Sequence, residues 1–197
     1  MRQSRLKEMA FTKPDFLKSP IERYRQEIEN RMNGKAQVFR EKSAQKKLPF
    51  VYTLAFSDTA KKMITAFSYG VSFATHPERI HQVELCLHVE SQESNWIHIV
   101  GYLANQLRTD CPFKTHEIIK IGQQISPDSK MDAFIVTEVD FLKDSSPIFD
   151  TKKSKGIQLI QLVPIYQSEI FSIHKMGVEA FLKAIKDSKS LIDRKAI

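Results

Sequence analysis

"QLIQLVPIYQSEI", residues 158–170, decides how the rest of the chain is read. Leu159, Ile160, Leu162 and Val163 make a short apolar run without polar alternation, the pattern of a strand buried on both faces. Pro164 removes a backbone donor in mid-run, and the chain stays apolar through Ile165 and Tyr166. Three residues after Tyr166 an acid, Glu169, stands in the first turn of the next helix. A strand buried on both faces needs helices on both sides of its sheet, so the surrounding elements must supply them.

Downstream, "SEIFSIHKM" reads as a short helix that Gly177 ends in a left-handed conformation. "VEAFLKAIKDS" reads as another, with Val178, Phe181, Leu182 and Ile185 inward. Upstream, a polar loop spans 143–156. Before it lie strands at 132–142 and 116–125, joined by "SPDSK", whose Asp128 and Ser129 have turn chemistry. Residues 95–109 form an amphipathic helix with Trp96, Val100, Leu103 and Leu107 as its stripe and Ser94 or Asn95 as its cap. Residues 81–90 alternate most regularly: Val83, Leu85, Leu87 and Val89 share one face, and Glu84, Cys86, His88 and Glu90 the other. Strands at 48–57 and 62–72 meet at a turn around Ser57-Asp58. Residues 19–45 read as helix. Ser19 is the N-cap, Pro20 the first helical residue, Glu22 the partner in a capping box, and Ile21, Tyr24, Ile28 and Met32 the apolar stripe. Asn33-Gly34 is where that helix stops or breaks.

Strands come in runs, separated by helices without strict βαβ alternation. The expected class is therefore α+β, a mixed β-sheet flanked by helices. Three segments follow: a basic, mostly helical arm (1–47), a globular domain (48–187) and a tail (188–197).

The formal charge of +7 is uneven. Residues 1–47 hold 13 Lys and Arg against 6 acids, whereas residues 48–197 hold 17 against 17. The basic pI of 9.3 thus describes the arm and not the body. No run approaches the ~18 apolar residues of a membrane span, and the N-terminus lacks the apolar core of a signal peptide. Two distant cysteines, Cys86 and Cys111, suit a reducing cytoplasm better than a disulfide framework.

Glu84, Cys86 and His88 are the sharpest chemical candidates, because residues i, i+2 and i+4 of a strand project the same way. A Cys–His pair makes a thiolate nucleophile, and a Cys/His/Glu set can hold zinc. The spacing is against both: such neighbours stand roughly 7 Å apart, and no fourth ligand has zinc-site spacing. The plain expectation is a half-exposed polar face. His76, His81, His98, His116 and His174 show no metal-binding pairing, and Walker, GxGxxG and GxSxG motifs are absent. No cofactor, no metal and no enzymatic activity are expected. The "KKSK" cluster at 152–155 reads as a solvated loop.

"ITAFSYGVS", "VELCLHV", "HEIIKIGQQISPDSKMDAFIV" and "IQLIQLVPIYQSEIFSIHKMGVEAFLKAI" occur in the order and spacing of the suppressor of fused domain. The chain resembles that family over residues 48–187, its bacterial members above all. In the resembling fold Pro164 lies in the sheet, near a strand end or where its missing donor is tolerated. Glu169 opens the next helix, where the dipole favours a carboxylate. The resemblance implies binding. Animal members look like proteins that sequester a transcription factor of Hedgehog signalling, and bacterial members are associated with immunity in polymorphic toxin systems. The expected partner is a cognate toxin or another protein, with no membrane. An immunity protein that mimics nucleic acid is acidic; this body is neutral and its arm basic, which suits an acidic toxin surface. The partner-binding residues expected on this basis are Tyr69, Ser72, Glu84, His88, Asp128, Ser129, Tyr166 and Glu169. The alternative is a nucleic-acid-binding or regulatory module acting through the arm.

Overall fold

A computed structural model describes residues 14–149, 156–186 and 192–197. The "KKSK" cluster and the first part of the arm lie outside them. Seven strands form one sheet in the order β1-β2-β3-β4-β7-β6-β5. They are β1 (Gln37–Glu41), β2 (Val51–Asp58), β3 (Met63–Tyr69), β4 (Gln82–Glu90), β5 (Ile118–Lys120), β6 (Ala133–Thr137) and β7 (Ile157–Ile165). All neighbours are antiparallel except β4 and β7, which run parallel. The helices are α1 (Pro20–Met32), α2 (Asn95–Leu107), α3 (Ile170–Met176) and α4 (Val178–Lys186). The mixed sheet with flanking helices is the α+β class that the strand runs predict.

Side-chain alternation distributes the helices. Val83, Leu85, Leu87 and Val89 of β4 join Phe134, Val136, Ile160 and Leu162 under α2, whose Trp96, Val100 and Leu103 are buried on them. The opposite face is covered in two places. At one end Tyr24 and Ile28 of α1 pack on Leu54, Phe67, Tyr69, Cys86 and Leu159. At the other, Ile173 of α3 and Phe181 and Ile185 of α4 pack on Ala133, Ile135, Val163 and Ile165. The run at 157–165 is thus buried on both faces, as its composition requires.

Helix α1 starts as read: Ser19 and Glu22 form the capping box behind Pro20. It stops at Asn33-Gly34, where the sequence places its stop or break, and does not resume as helix beyond it. Asn33 takes a left-handed conformation at φ 50°, and residues 37–41, expected within the helical segment, form edge strand β1 paired with β2. Their Val-Phe dipeptide favours strand. The strands expected at 116–125 and 132–142 are shorter, because the turn between them and the loop after Thr137 are longer than their composition suggests. Gly177 ends α3 with a positive φ of 86°, but its ψ of 152° is extended and not left-handed helical.

The parallel ladder pairs Gln82 with Ile157 and ends at Cys86 opposite Gln161. β4 continues to Glu90 beside β3, and β7 continues to Ile165 beside β6. The two strands therefore part. Pro164 stands in the parted stretch, opposite Phe134 of β6, so its missing donor removes no bond to β4.

Candidate functional site

A cleft of about 630 Å³ opens on the sheet face where β4 and β7 separate. Its floor is His88, Thr137, Gln161 and Val163. One wall is α4, through Glu179, Leu182, Ile185 and Lys186; the other holds Thr115, His116 and the irregular stretch at Glu138 and Asp140. Two side-chain contacts cross the rim: Lys186 Nζ forms an ion pair with Asp140 at 2.6 Å, and His116 Nε2 lies 3.2 Å from a carboxylate oxygen of Glu179. In the floor, the Gln161 amide oxygen accepts from the Asp140 backbone N–H at 3.1 Å, which ties the loop to β7.

His88 is the sequence-predicted residue that lines this cleft. Its Nδ1 is 2.8 Å from Thr65 Oγ1, and its ring stacks on Phe141 at 4.6 Å. Burial pulls its pKa below the ordinary histidine value, with Asp140 opposing, so the ring is neutral near pH 7. Its strand neighbours differ from the expected half-exposed polar face. Glu84 and Cys86 are fully buried. Burial pushes the Cys86 thiol well up, away from a nucleophilic thiolate.

Glu84 organises the end of β3 instead. One carboxylate oxygen accepts from the backbone N–H of Gly70 (2.7 Å) and Ser72 (3.0 Å) and from the Ser72 hydroxyl (2.6 Å). The other accepts from the Ser68 hydroxyl (2.6 Å) and the Val71 N–H (3.3 Å). Burial raises the carboxyl, while these hydrogen bonds pull it down; burial prevails. A β-carbon on Gly70 would meet Val51 Cγ2 at 2.8 Å, so glycine lets the turn close on β2. Tyr69 stacks on Tyr24 at 4.4 Å, and burial followed by the nearby Glu84 charge pushes its hydroxyl up to about 12. Tyr69, Ser72 and Glu84 are thus one assembly.

The remaining predicted residues form two others. Asp128 accepts from Ser91 Oγ (2.5 Å), Ser126 Oγ (2.5 Å) and Trp96 Nε1 (3.1 Å), which pins the turn to the start of α2. Ser129 donates to the Ile192 carbonyl at 2.7 Å. Glu169 is fully buried, and both its oxygens bind the Arg194 guanidinium. It also accepts from the Tyr166 N–H at 2.9 Å and the Ile197 N–H at 2.9 Å. The Tyr166 hydroxyl donates to the Arg194 carbonyl at 2.6 Å. Glu169 does stand at the helix entry, but its charge partner is an arginine from the C-terminal segment. Among the described residues no three of His, Cys, Asp or Glu converge to hold a metal ion, and no helix is long and apolar enough to cross a membrane.

The sequence matches the model of the family described as Suppressor of fused protein (SUFU) over residues 48–193. The chain belongs to the suppressor of fused family. Its fold agrees. A suppressor of fused homologue from Neisseria gonorrhoeae superposes with a TM-score of 0.66 at 13% identity, covering 87% of this chain and 92% of that one. The structure of the Sufu–Fu complex gives 0.58 at 13% identity over 87% and 90%. Drosophila Suppressor of Fused gives 0.53 at 12% identity over 75% of this chain and 42% of that one. A search of curated protein sequences finds none that matches. Several cleft residues of this suppressor of fused chain escape a reading of the sequence: Asp140, Gln161, Glu179, Leu182 and Lys186 come from three separated segments, and no local periodicity links them. Arg194 escapes it too, as one basic residue in a polar tail.

Proposed function

We propose that the chain is a non-enzymatic module that sequesters one partner protein in the cytoplasm, gripping it through the cleft between β4 and β7. The observation that carries this reading is the parting of the two strands, which leaves a deep surface of mixed polarity on a packed scaffold. The groups best suited to chemistry support it from the other side, since Glu84 and Cys86 are enclosed and burial raises both above their ordinary values. The Sufu–Fu complex is a relative bound to another protein. His88 contacts the partner in this reading, while the assemblies around Glu84, Asp128 and Glu169 keep the surrounding loops in place.

The finer reading is an immunity protein that neutralises a cognate toxin of a bacterial polymorphic toxin system, which rests on the resemblance to bacterial suppressor of fused domains. Affinity capture of the tagged chain from its native extract, with nuclease treatment and a moderate-salt wash, tests both levels. The expected result is one stoichiometric protein, and co-expression that restores growth when that protein is toxic. Recovery of nucleic acid, or of many proteins that vanish with nuclease, would instead support a nucleic-acid module. That second reading draws on the basic excess of residues 1–47.

A further inference from the structure

The charge of the cleft is opposite to that of the chain. Glu90, Glu138, Asp140 and Glu179 line it against Lys186, with the His116 imidazole beside Glu179, on a protein of formal charge +7. His88 adds no charge there, because burial keeps it neutral. Below the carboxylates, Val163 of the floor and Leu182 and Ile185 of the α4 wall offer an aliphatic surface beside the polar His88, Thr137 and Gln161. Carboxylates next to an aliphatic wall suit a long side chain with an apolar stem and a cationic head.

We propose that the cleft receives a basic segment of the partner polypeptide, with a lysine or arginine head among Glu90, Glu138 and Asp140 and its methylene stem against Val163, Leu182 and Ile185. The proposal rests on the protein-binding reading above and names the chemistry of the partner at that same cleft. The chain shows the contact in miniature: Lys186 reaches over from α4 and places its ammonium 2.6 Å from Asp140. Glu138 and Glu90 remain on the rim for a second cation. An anionic segment would meet four carboxylates at this surface, so the arm and the cleft select partners of opposite local charge.

The test uses the full-length, isotope-labelled chain at low salt and two short synthetic peptides, repeats of Lys-Leu-Ser and of Glu-Leu-Ser. The lysine peptide shifts the amide resonances of His88, Thr137 and Leu182, and the glutamate peptide does not. Combining E138K with D140K weakens the lysine peptide about tenfold or more, while E138Q with D140N falls between. Both changes sit on the rim, and the same spectra report that the fold is kept. Shifts at the cleft from the glutamate peptide alone, or a charge reversal without effect, overturn the basic class and leave the binding reading intact. A captured partner that binds unchanged when the exposed Thr115 is replaced by Trp to fill the cleft overturns both.

Discussion

Glu84 shows what one side chain can fix. Five donors converge on its two oxygens, and they lie on residues 68–72, which leave β3 and turn behind β2. Glu84→Ala leaves those donors facing a void, and we expect a loss of about 3–5 kcal/mol in urea unfolding. Glu84→Gln keeps one acceptor oxygen and costs less. The pH response follows from the direction of the shift. The folded carboxyl binds its proton more tightly than the unfolded one, so the stability this group contributes is fully present below the ordinary carboxylate range. It is lost as pH rises through the raised folded value. Glu84→Gln should remove that downward slope. His88 behaves in the opposite sense. Its folded value lies below the ordinary histidine value, so its contribution is present above that value and lost as pH falls through the lowered one. A nitrogen-detected NMR titration should find its ring protonating below the free-histidine range. The identity of these residues was legible in the sequence, but their burial was not. Alternation assigns Glu84 and Cys86 to a polar face, and the elements that cover it, α1 and the stretch from Val139 to Ile148, are distant in the chain.

At the scale of elements, helix α2 and the C-terminal segment show how pieces dock. Gly101 lets α2 lie close on the sheet: a β-carbon there would meet Thr53 Oγ1 at 2.5 Å and Glu41 Oε1 at 2.6 Å. Gly101→Ala should therefore destabilise the fold by about 1–3 kcal/mol despite the better helix propensity of alanine. Residues 192–197 dock through Ile192 in the main core and through Arg194, whose guanidinium joins Glu169 and lies over the rings of Tyr166 and Phe181. Arg194→Ala leaves Glu169 buried without its cation, and we expect a cost of about 3–5 kcal/mol with loss of amide exchange protection in this segment. Replacing Arg194 and Glu169 together by methionine and leucine should cost less than either alanine change. Elements with strong local signals were read correctly: the capping box of α1, the stripe of α2, and the two-faced burial of β7. β1 was missed because its five residues follow a helix and are half exposed, so neither period reaches them. The ends of β5 and β6 were overrun because their apolar patterns continue into loops that pack on the core, as Ile125 and Phe141 do.

For the whole molecule, the defining feature is a sheet whose central parallel pair separates halfway along. α1 and α4 cover the two ends of one face, and the cleft lies in the stretch they leave open. This arrangement depends on the pairing of β4 with β7, which are more than sixty residues apart in the chain, so only the fold brings its rim together. The family was legible in the motifs from 64 onward, and the match carries on to residue 193, into the segment that holds Ile192. The cleft was legible only at His88. The most direct test of the account is a side-by-side capture from nuclease-treated native extract with the wild-type chain and the Thr115→Trp variant, after both are shown to unfold at the same denaturant midpoint. The account predicts one stoichiometric protein on the wild type and its loss from the variant. Equal recovery of that protein on both, or nucleic acid in its place, would contradict it.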